Sequence, residues 1–260
     1  MTPRVGIITG LHLELGKEYT VEWSNQFIDS EKFDCYPDEN GVNEENCLLR
    51  GCVWEPNDSS GVPYCYITKY DYTASNVQSR PSGLTATISH IPGASHYPST
   101  PIDELRLEVT FHTNNMLQFK IDDPNNKRYE VPVPLNIPSS PISQPESLLY
   151  EVTIKENPFG IEVRRKSTGT VIWDSQVPGF TFNDMFLRIS TRLPSHYIYG
   201  FGETEHTTFR RDMNWNTWGM FSRDEPPGYK KNSYGVHPYY MGLEEDGNAH
   251  GVLLLNSNAM

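Results

Sequence analysis

The sequence predicts an all-β protein in two parts, a small disulfide-stapled minidomain followed by an antiparallel β-sandwich. Three observations carry this. Apolar and polar residues alternate with a period of two in many short runs separated by turn residues, which is the pattern of half-buried strands. All four cysteines, Cys35, Cys47, Cys52 and Cys65, lie in one 31-residue stretch of a 260-residue chain. No stripe of helical period runs for more than two turns.

Taken in order, the chain opens with Leu11, Leu13 and Leu15 alternating with polar residues, then Tyr19, Val21 and Trp23 after Gly16-Lys17, which reads as a hairpin. The apolar stretch Val5–Leu11 is broken by two glycines and lacks the apolar core and cleavage site of a secretory signal. A local, even set of cysteines reads as a disulfide framework, for which three pairings are possible. Zinc is the rival reading, but zinc ligands come in close pairs, and the intervals here are 11, 4 and 12 residues. Disulfides need an oxidising compartment. Without a signal, they predict that the chain is part of a longer protein. A short helix is expected at Asn43–Leu49, and Asn57-Asp58-Ser59 is a glycosylation sequon in a turn-rich loop.

Beyond residue 70 the expected strands include Leu105–Phe111, Leu117–Ile121, Tyr150–Lys155, Ile161–Arg165 and Thr170–Trp173. Further ones are Met185–Ile189, Tyr197–Phe201, Tyr239–Leu243 and Gly251–Leu255. Asp123-Pro124-Asn125, Asn157-Pro158 and Ser167-Thr168-Gly169 punctuate them as turns. Five prolines between residues 131 and 145 read either as a domain linker or as a rigid crossover within the sandwich. The chain closes on an apolar strand that needs a neighbour, a second pointer to a longer protein.

Composition excludes several classes. The formal charge of −12, without a basic cluster, opposes nucleic-acid binding. No run approaches the roughly 18 apolar residues of a membrane span. An aromatic content of 12% is too high for a disordered acidic chain.

Chemistry-bearing residues concentrate at 196–241. Gly200-Phe201-Gly202 lacks the third glycine and the following helix of a phosphate loop. Glu203, Glu205 and His206 do not complete a metal-ligand set, so neither metal nor cofactor is expected. Trp215, Trp218, Phe221, Tyr229, Tyr234, Tyr239 and Tyr240 suit either a sugar-stacking platform or a packed core. Asp212, Asp224 and Glu225 are expected to be solvated or paired with Arg210, Arg211 and Arg223. A glycosidase needs two carboxyl groups about 5–5.5 Å apart for retention, or about 6.5–9.5 Å for inversion, and sequence spacing places no such pair. An epimerase of mutarotase type would use a His base and a Glu acid, but His90, His96, His237 and His250 are scattered without a matching motif.

Two resemblances follow from particular stretches. Cys35-Tyr-Pro-Asp, Cys47-Leu-Leu-Arg-Gly-Cys52-Val-Trp and Gly61-Val-Pro-Tyr-Cys65-Tyr together resemble a trefoil (P-type) domain over residues 33–67. That family has six cysteines. The fifth position here is Val53, and the first falls near Asn25, so both members of one bond are replaced. The resemblance implies Cys35–Cys52 and Cys47–Cys65. Tyr129–Pro134, Asn157–Arg165, Tyr199–Glu203, Phe221–Asp224 and Tyr234–Tyr240 resemble the N-terminal part of glycoside hydrolase family 31, in particular the second unit of its tandem intestinal α-glucosidases.

These resemblances imply terminal strands of a preceding unit and a linker at 1–32, a trefoil at 33–68, and a galactose-mutarotase-like β-sandwich at 69–260. The family's reaction belongs to a following (β/α)8 barrel whose nucleophile lies in a Trp-Ile-Asp-Met-Asn-Glu motif. That motif is not in this sequence, so no catalytic residue is assigned here. The sandwich gives the active site one loop whose Asp and Tyr line the sugar pocket, which implies Asp224 and Tyr234. A neighbouring Thr of the first-unit loop is Pro226 here, which implies a more apolar contact. The expected ligands are α-glucosides, the expected partner is the catalytic barrel, and the expected location of the parent is the extracellular face of the apical brush-border membrane. The alternative is a stand-alone carbohydrate-binding or trefoil-type interaction module.

Overall fold

The computed structural model describes residues 28–35, 41–93, 99–138, 144–222 and 224–260. The expected hairpin over Leu11–Trp23, like His96 and Arg223, lies outside them. A three-residue 3-10 turn, Asp29–Glu31, leads into β1 (Phe33–Asp34), α1 (Glu44–Leu49), β2 (Val53–Trp54) and β3 (Cys65–Ile67). The strands pair antiparallel in the order β1-β3-β2. Asn43 starts the helix, its Oδ1 accepting the Asn46 N–H at 2.8 Å, and Glu44 and Glu45 fill the positive first turn. The structure joins Cys35 to Cys52 and Cys47 to Cys65, and no described cysteine is free. The four half-cystines and Ile67 form a core of their own, with Trp54 packed against it. A domain this small has little apolar area to bury, so covalent closure substitutes for core.

The sandwich begins with β4 (Tyr72–Arg80), β5 (Gly83–His90), β6 (Glu104–Thr113) and β7 (Met116–Asp122), a four-stranded antiparallel meander. Facing it are β8 (Tyr150–Lys155), β9 (Gly160–Arg165) and β10 (Val171–Asp174), in the order β10-β9-β8. One core joins the two sheets. Ile88, Leu105, Leu107 and Val109 come from the first sheet, and Tyr150, Ile161, Val163 and Trp173 from the second. The strict alternation in β6, where Leu105, Leu107, Val109 and Phe111 are buried between exposed or half-buried neighbours, shows why period two specified this strand. Each fully buried Leu or Ile contributes about 1.5–3 kcal/mol.

β4 and β5 were not individually legible. Only Tyr72 and Ala74 of β4 are buried, and the strand runs out polar and exposed. Because β7 and β8 belong to different sheets of one core, the proline-rich segment between them is a crossover rather than a domain linker. Asp123 opens it by accepting the Asn125 N–H at 2.8 Å. Arg128 then anchors it on the carbonyls of Asn183 and Asp184.

A short ribbon, β11 (Thr181–Phe182) with β12 (Leu187–Arg188), replaces the longer strand expected at Met185–Ile189. The chain ends in a third sheet of β13 (Tyr197–Thr204), β14 (Asn232–Leu243) and β15 (Ala249–Leu253), in that order. Its inner face carries Ile198 and Tyr240, both buried, while Tyr197, Tyr239, Met241 and Leu253 are exposed on the other face. The trefoil and the sandwich meet through Arg192, which bonds Glu31 of the 3-10 turn at 2.7 Å and Asp174 of β10 at 2.7 Å.

Candidate functional site

The candidate residues Asp224, Pro226 and Tyr234 lie on and just beyond the connection from β13 to β14, residues 205–231. All three are exposed, and Tyr234 is 61% accessible. The connection has little regular structure and is built from specific bonds. Lys230 donates its backbone N–H to the Glu205 carbonyl at 2.9 Å, and its ammonium reaches Asn216 Oδ1 at 2.5 Å. Phe221 donates its N–H to Asn232 Oδ1 at 3.1 Å, closing the neck of the segment that carries Asp224 and Pro226. Met220 and Met260 exchange two backbone hydrogen bonds beside it.

Arg211 holds the base of the loop. It is buried, and its guanidinium donates to the carbonyls of Gly200 at 2.7 Å and Phe201 at 2.5 Å, and to Thr204 Oγ1 at 2.9 Å. It also lies 4.5 Å from the Trp218 ring centroid. Burial among these neutral partners lowers its pKa from the ordinary arginine value. Gly200 is required where the guanidinium docks. Its φ is +111°, and a Cβ there would stand 2.4 Å from the Tyr239 carbonyl oxygen.

Asp212 and Asp224 are exposed, in line with the solvated alternative, and the arginine alternative fails at Arg211, whose partners include no carboxylate. Glu225 pairs with Lys231 at 2.5 Å. Asp212 accepts the backbone N–H of Asn214 at 3.0 Å and the Asn214 side chain at 2.8 Å. The backbone bond, with the Asn216 side chain, holds its carboxyl below the usual range. Arg211 binds oxygens of the backbone and of a hydroxyl instead of a carboxylate. A carboxylate that already accepts local N–H groups gains little from an exposed arginine.

Glu203 is also committed. Its Oε2 accepts the backbone N–H groups of Tyr234 at 3.0 Å and of Gly235 at 2.9 Å. Among the described residues, the one close grouping of three ligand-type side chains is Cys35, Cys52 and Cys65, whose sulfurs belong to disulfides. His206 packs its ring against Trp218, and its Nδ1 lies 3.0 Å from the Thr204 carbonyl.

The aromatic set divides. Tyr240 is core, whereas Phe221, Tyr229, Tyr234 and Tyr239 are exposed. Trp215 is 39% accessible and leans on the trefoil, where a Cβ on Gly61 would come 2.6 Å from the Trp215 Cβ. Among the described residues the histidines do not converge. His90 lies 3.5 Å from Asp103 in the first sheet, and His250 sits 3.1 Å from the fully buried Glu244. Burial alone would raise the Glu244 carboxyl, but hydrogen bonds from Arg165 and His250 hold it below its ordinary value.

Asn57 of the sequon is half-buried. Its Nδ2, the atom a glycan would take, donates to Asp29 at 2.9 Å, while its Oδ1 accepts the Ser59 N–H. The positions that sequence reasoning did not connect with the loop are Glu203 and Asn232. Their role depends on which backbone groups the strand pairing leaves without partners, and residue spacing does not carry that.

Comparison with known proteins adds the family context. Residues 25–68 match the trefoil (P-type) domain, and residues 106–260 match the glycosyl hydrolase 31 N-terminal galactose mutarotase-like domain. The chain is 59% identical over 262 residues to intestinal sucrase-isomaltase of Oryctolagus cuniculus, covering 99% of this chain and 14% of that protein. It is 61% identical over 267 residues to probable maltase-glucoamylase 2 of Homo sapiens, covering 99% of this chain and 11% of the relative. It is 41% identical to lysosomal alpha-glucosidase of Mus musculus over 239 residues, 89% of this chain and 24% of the relative. The chain therefore spans a small fraction of the relatives it matches. A crystal structure of an ER glucosidase II complex of catalytic subunit and regulatory-subunit binding domain shares the fold, with a TM-score of 0.51 at 14% identity. That match covers 74% of this chain and 28% of the other.

Proposed function

Because the chain belongs to the glycosyl hydrolase 31 N-terminal galactose mutarotase-like family, we propose that it is a non-catalytic N-terminal part of a retaining α-glucosidase. Its contribution is one sugar-contacting loop. The observation that carries this reading is the β13–β14 connection, a loop with little regular structure that is nonetheless pinned at base and neck. It presents Tyr234 and Asp224 to solvent. Tyr234 offers an apolar face for a sugar ring and a hydroxyl for its polar edge. Asp224 offers a carboxylate acceptor for sugar hydroxyls, and the exposed Pro226 a small apolar contact. The ligands are α-glucosides such as maltose, isomaltose or sucrose-like oligosaccharides.

The exposed side of the third sheet supports the same reading. Tyr197, Tyr239, Met241 and Leu253 form an apolar face that suits packing against a further domain, the catalytic barrel of such an enzyme. The chemistry of a retaining glycosidase, an ionised nucleophile opposite a carboxylic acid, belongs to that partner. An intestinal relative and a disulfide-bonded trefoil support the proposed location of the parent at the extracellular face of the brush-border membrane. Among the described residues no helix is long and apolar enough to cross a membrane.

The test is an amide NMR titration of the 15N-labelled chain with maltose. Shifts at Tyr234 and around Asp224, at millimolar sugar, are expected, and Tyr234→Ala weakens binding by about tenfold, roughly 1.4 kcal/mol. The same pure chain is expected to release no glucose from maltose. An unperturbed loop at saturating sugar, or turnover by the pure chain, defeats the proposal.

A further inference from the structure

We propose that Glu203 is the positioning residue of this loop: its carboxylate caps a bulge at the start of β14 and thereby aims Tyr234. The argument starts from register. On β13, Gly200 pairs with Tyr240, Gly202 with His237 and Thr204 with Asn232, and the pairing shifts in both intervals. Between the last two pairs β13 advances two residues while β14 advances five. The extra residues of β14 cannot all find partners on β13, so their N–H and C=O groups need acceptors and donors from elsewhere.

Two side chains supply them. Glu203 Oε2 accepts both adjacent N–H groups, those of Tyr234 at 3.0 Å and Gly235 at 2.9 Å. Asn232 Nδ2 donates to the carbonyls of Ser233 at 3.1 Å and Gly235 at 2.9 Å, while its Oδ1 holds Phe221 at the loop neck. The bulge is thus fixed by side-chain bonds, those to the Glu203 carboxylate charge-assisted, rather than by the ladder. It is also sterically tight, since a Cβ on Gly235 would lie 2.9 Å from the His237 ring and 3.6 Å from Glu203 Oε2. Ser233 is buried on one side of Tyr234, whose own ring points out and is 61% accessible. Because a bulge re-aims the side chain it carries, the direction of the Tyr234 ring is set by the carboxylate holding its N–H.

The role assigned to Glu203 rests on the reading of Tyr234 as a sugar contact, so the experiment has two arms on the 15N-labelled chain. In the first, amide hydrogen exchange at Tyr234 and Gly235 rises at least about tenfold in Glu203→Ala while amides of β8 and β9 keep their protection. In the second, Glu203→Ala weakens maltose binding about tenfold, and Glu203→Gln, which keeps an acceptor oxygen, recovers affinity to within about threefold. Wild-type exchange at both amides in Glu203→Ala overturns the clamp. Faster exchange with unchanged maltose affinity overturns its role in positioning. A wild-type chain that ignores maltose overturns the sugar reading and this role with it, and the exchange arm then shows separately whether the clamp exists.

Discussion

Asp71 sits between the trefoil and β4, where its carbonyl accepts the Ile91 N–H at 2.7 Å. Burial pushes its carboxyl up to about 7, against the pull of Arg188 and Lys69. The folded state therefore holds this proton more tightly than the unfolded chain, whose aspartates titrate near 3.9. The associated stability is complete below the unfolded value, declines as pH rises, and is lost above the folded value. Wild-type melting temperature is expected to fall between about pH 4 and pH 7 relative to Asp71→Asn, which lacks the titrating group. Parallel melting curves for the two proteins across that range contradict the assignment. Lys32 shows the opposite arrangement, a buried ammonium held between Asp29 at 3.0 Å and Glu55 at 3.2 Å. There, burial opposes the charged form, and the two carboxylates outweigh it to raise the lysine above its ordinary value.

At the scale of the element, the trefoil depends on its bonds. Cys35–Cys52 and Cys47–Cys65 span sequence separations of 17 and 18 residues. Closing a loop of that size removes about 3 kcal/mol of unfolded-state freedom in the chain-entropy model. The double variant Cys47→Ala, Cys65→Ala is expected to lose hydrogen-exchange protection in β3 by about that amount, with β5 and β6 unaffected. Equal protection in the variant and the wild type contradicts this. Elements differed in legibility for a physical reason. Strands with one face on the core, such as β6, β8 and β9, print their burial as alternation. Strands that run out past the core, such as most of β4, carry no such signature. β14 is longer than its apolar pattern indicates because its first half is the bulge, where side chains of Glu203 and Asn232 replace ladder partners.

At the scale of the molecule, the third sheet is tied to the sandwich by a buried ion pair. Arg165 of β9 contacts Glu244, beyond β14, at 2.9 and 2.5 Å and also donates to the Ala249 carbonyl at 3.0 Å. The Glu244 side chain has no exposure. Arg165→Met is expected to cost about 3–5 kcal/mol in urea unfolding, because it leaves a buried charge uncompensated. Replacing Glu244 by Met as well is expected to recover most of that loss. A single variant as stable as the wild type sinks the idea that this pair joins the two parts.

The sequence by itself determined the all-β class, the stapled minidomain and the family resemblance. Each is written in local features: cysteine spacing, period-two alternation and short contiguous motifs. It also located the candidate loop through Phe221–Asp224 and Tyr234–Tyr240. The tertiary structure decided that the proline-rich segment is a crossover, that Glu225 pairs with Lys231, and that Arg211 and Glu203 are committed to backbone groups. Those outcomes depend on which N–H and C=O groups strand pairing leaves unpaired, and on contacts between residues far apart in the chain. Buried polar groups must be satisfied wherever the fold puts them, and their partners are fixed only once the fold has formed.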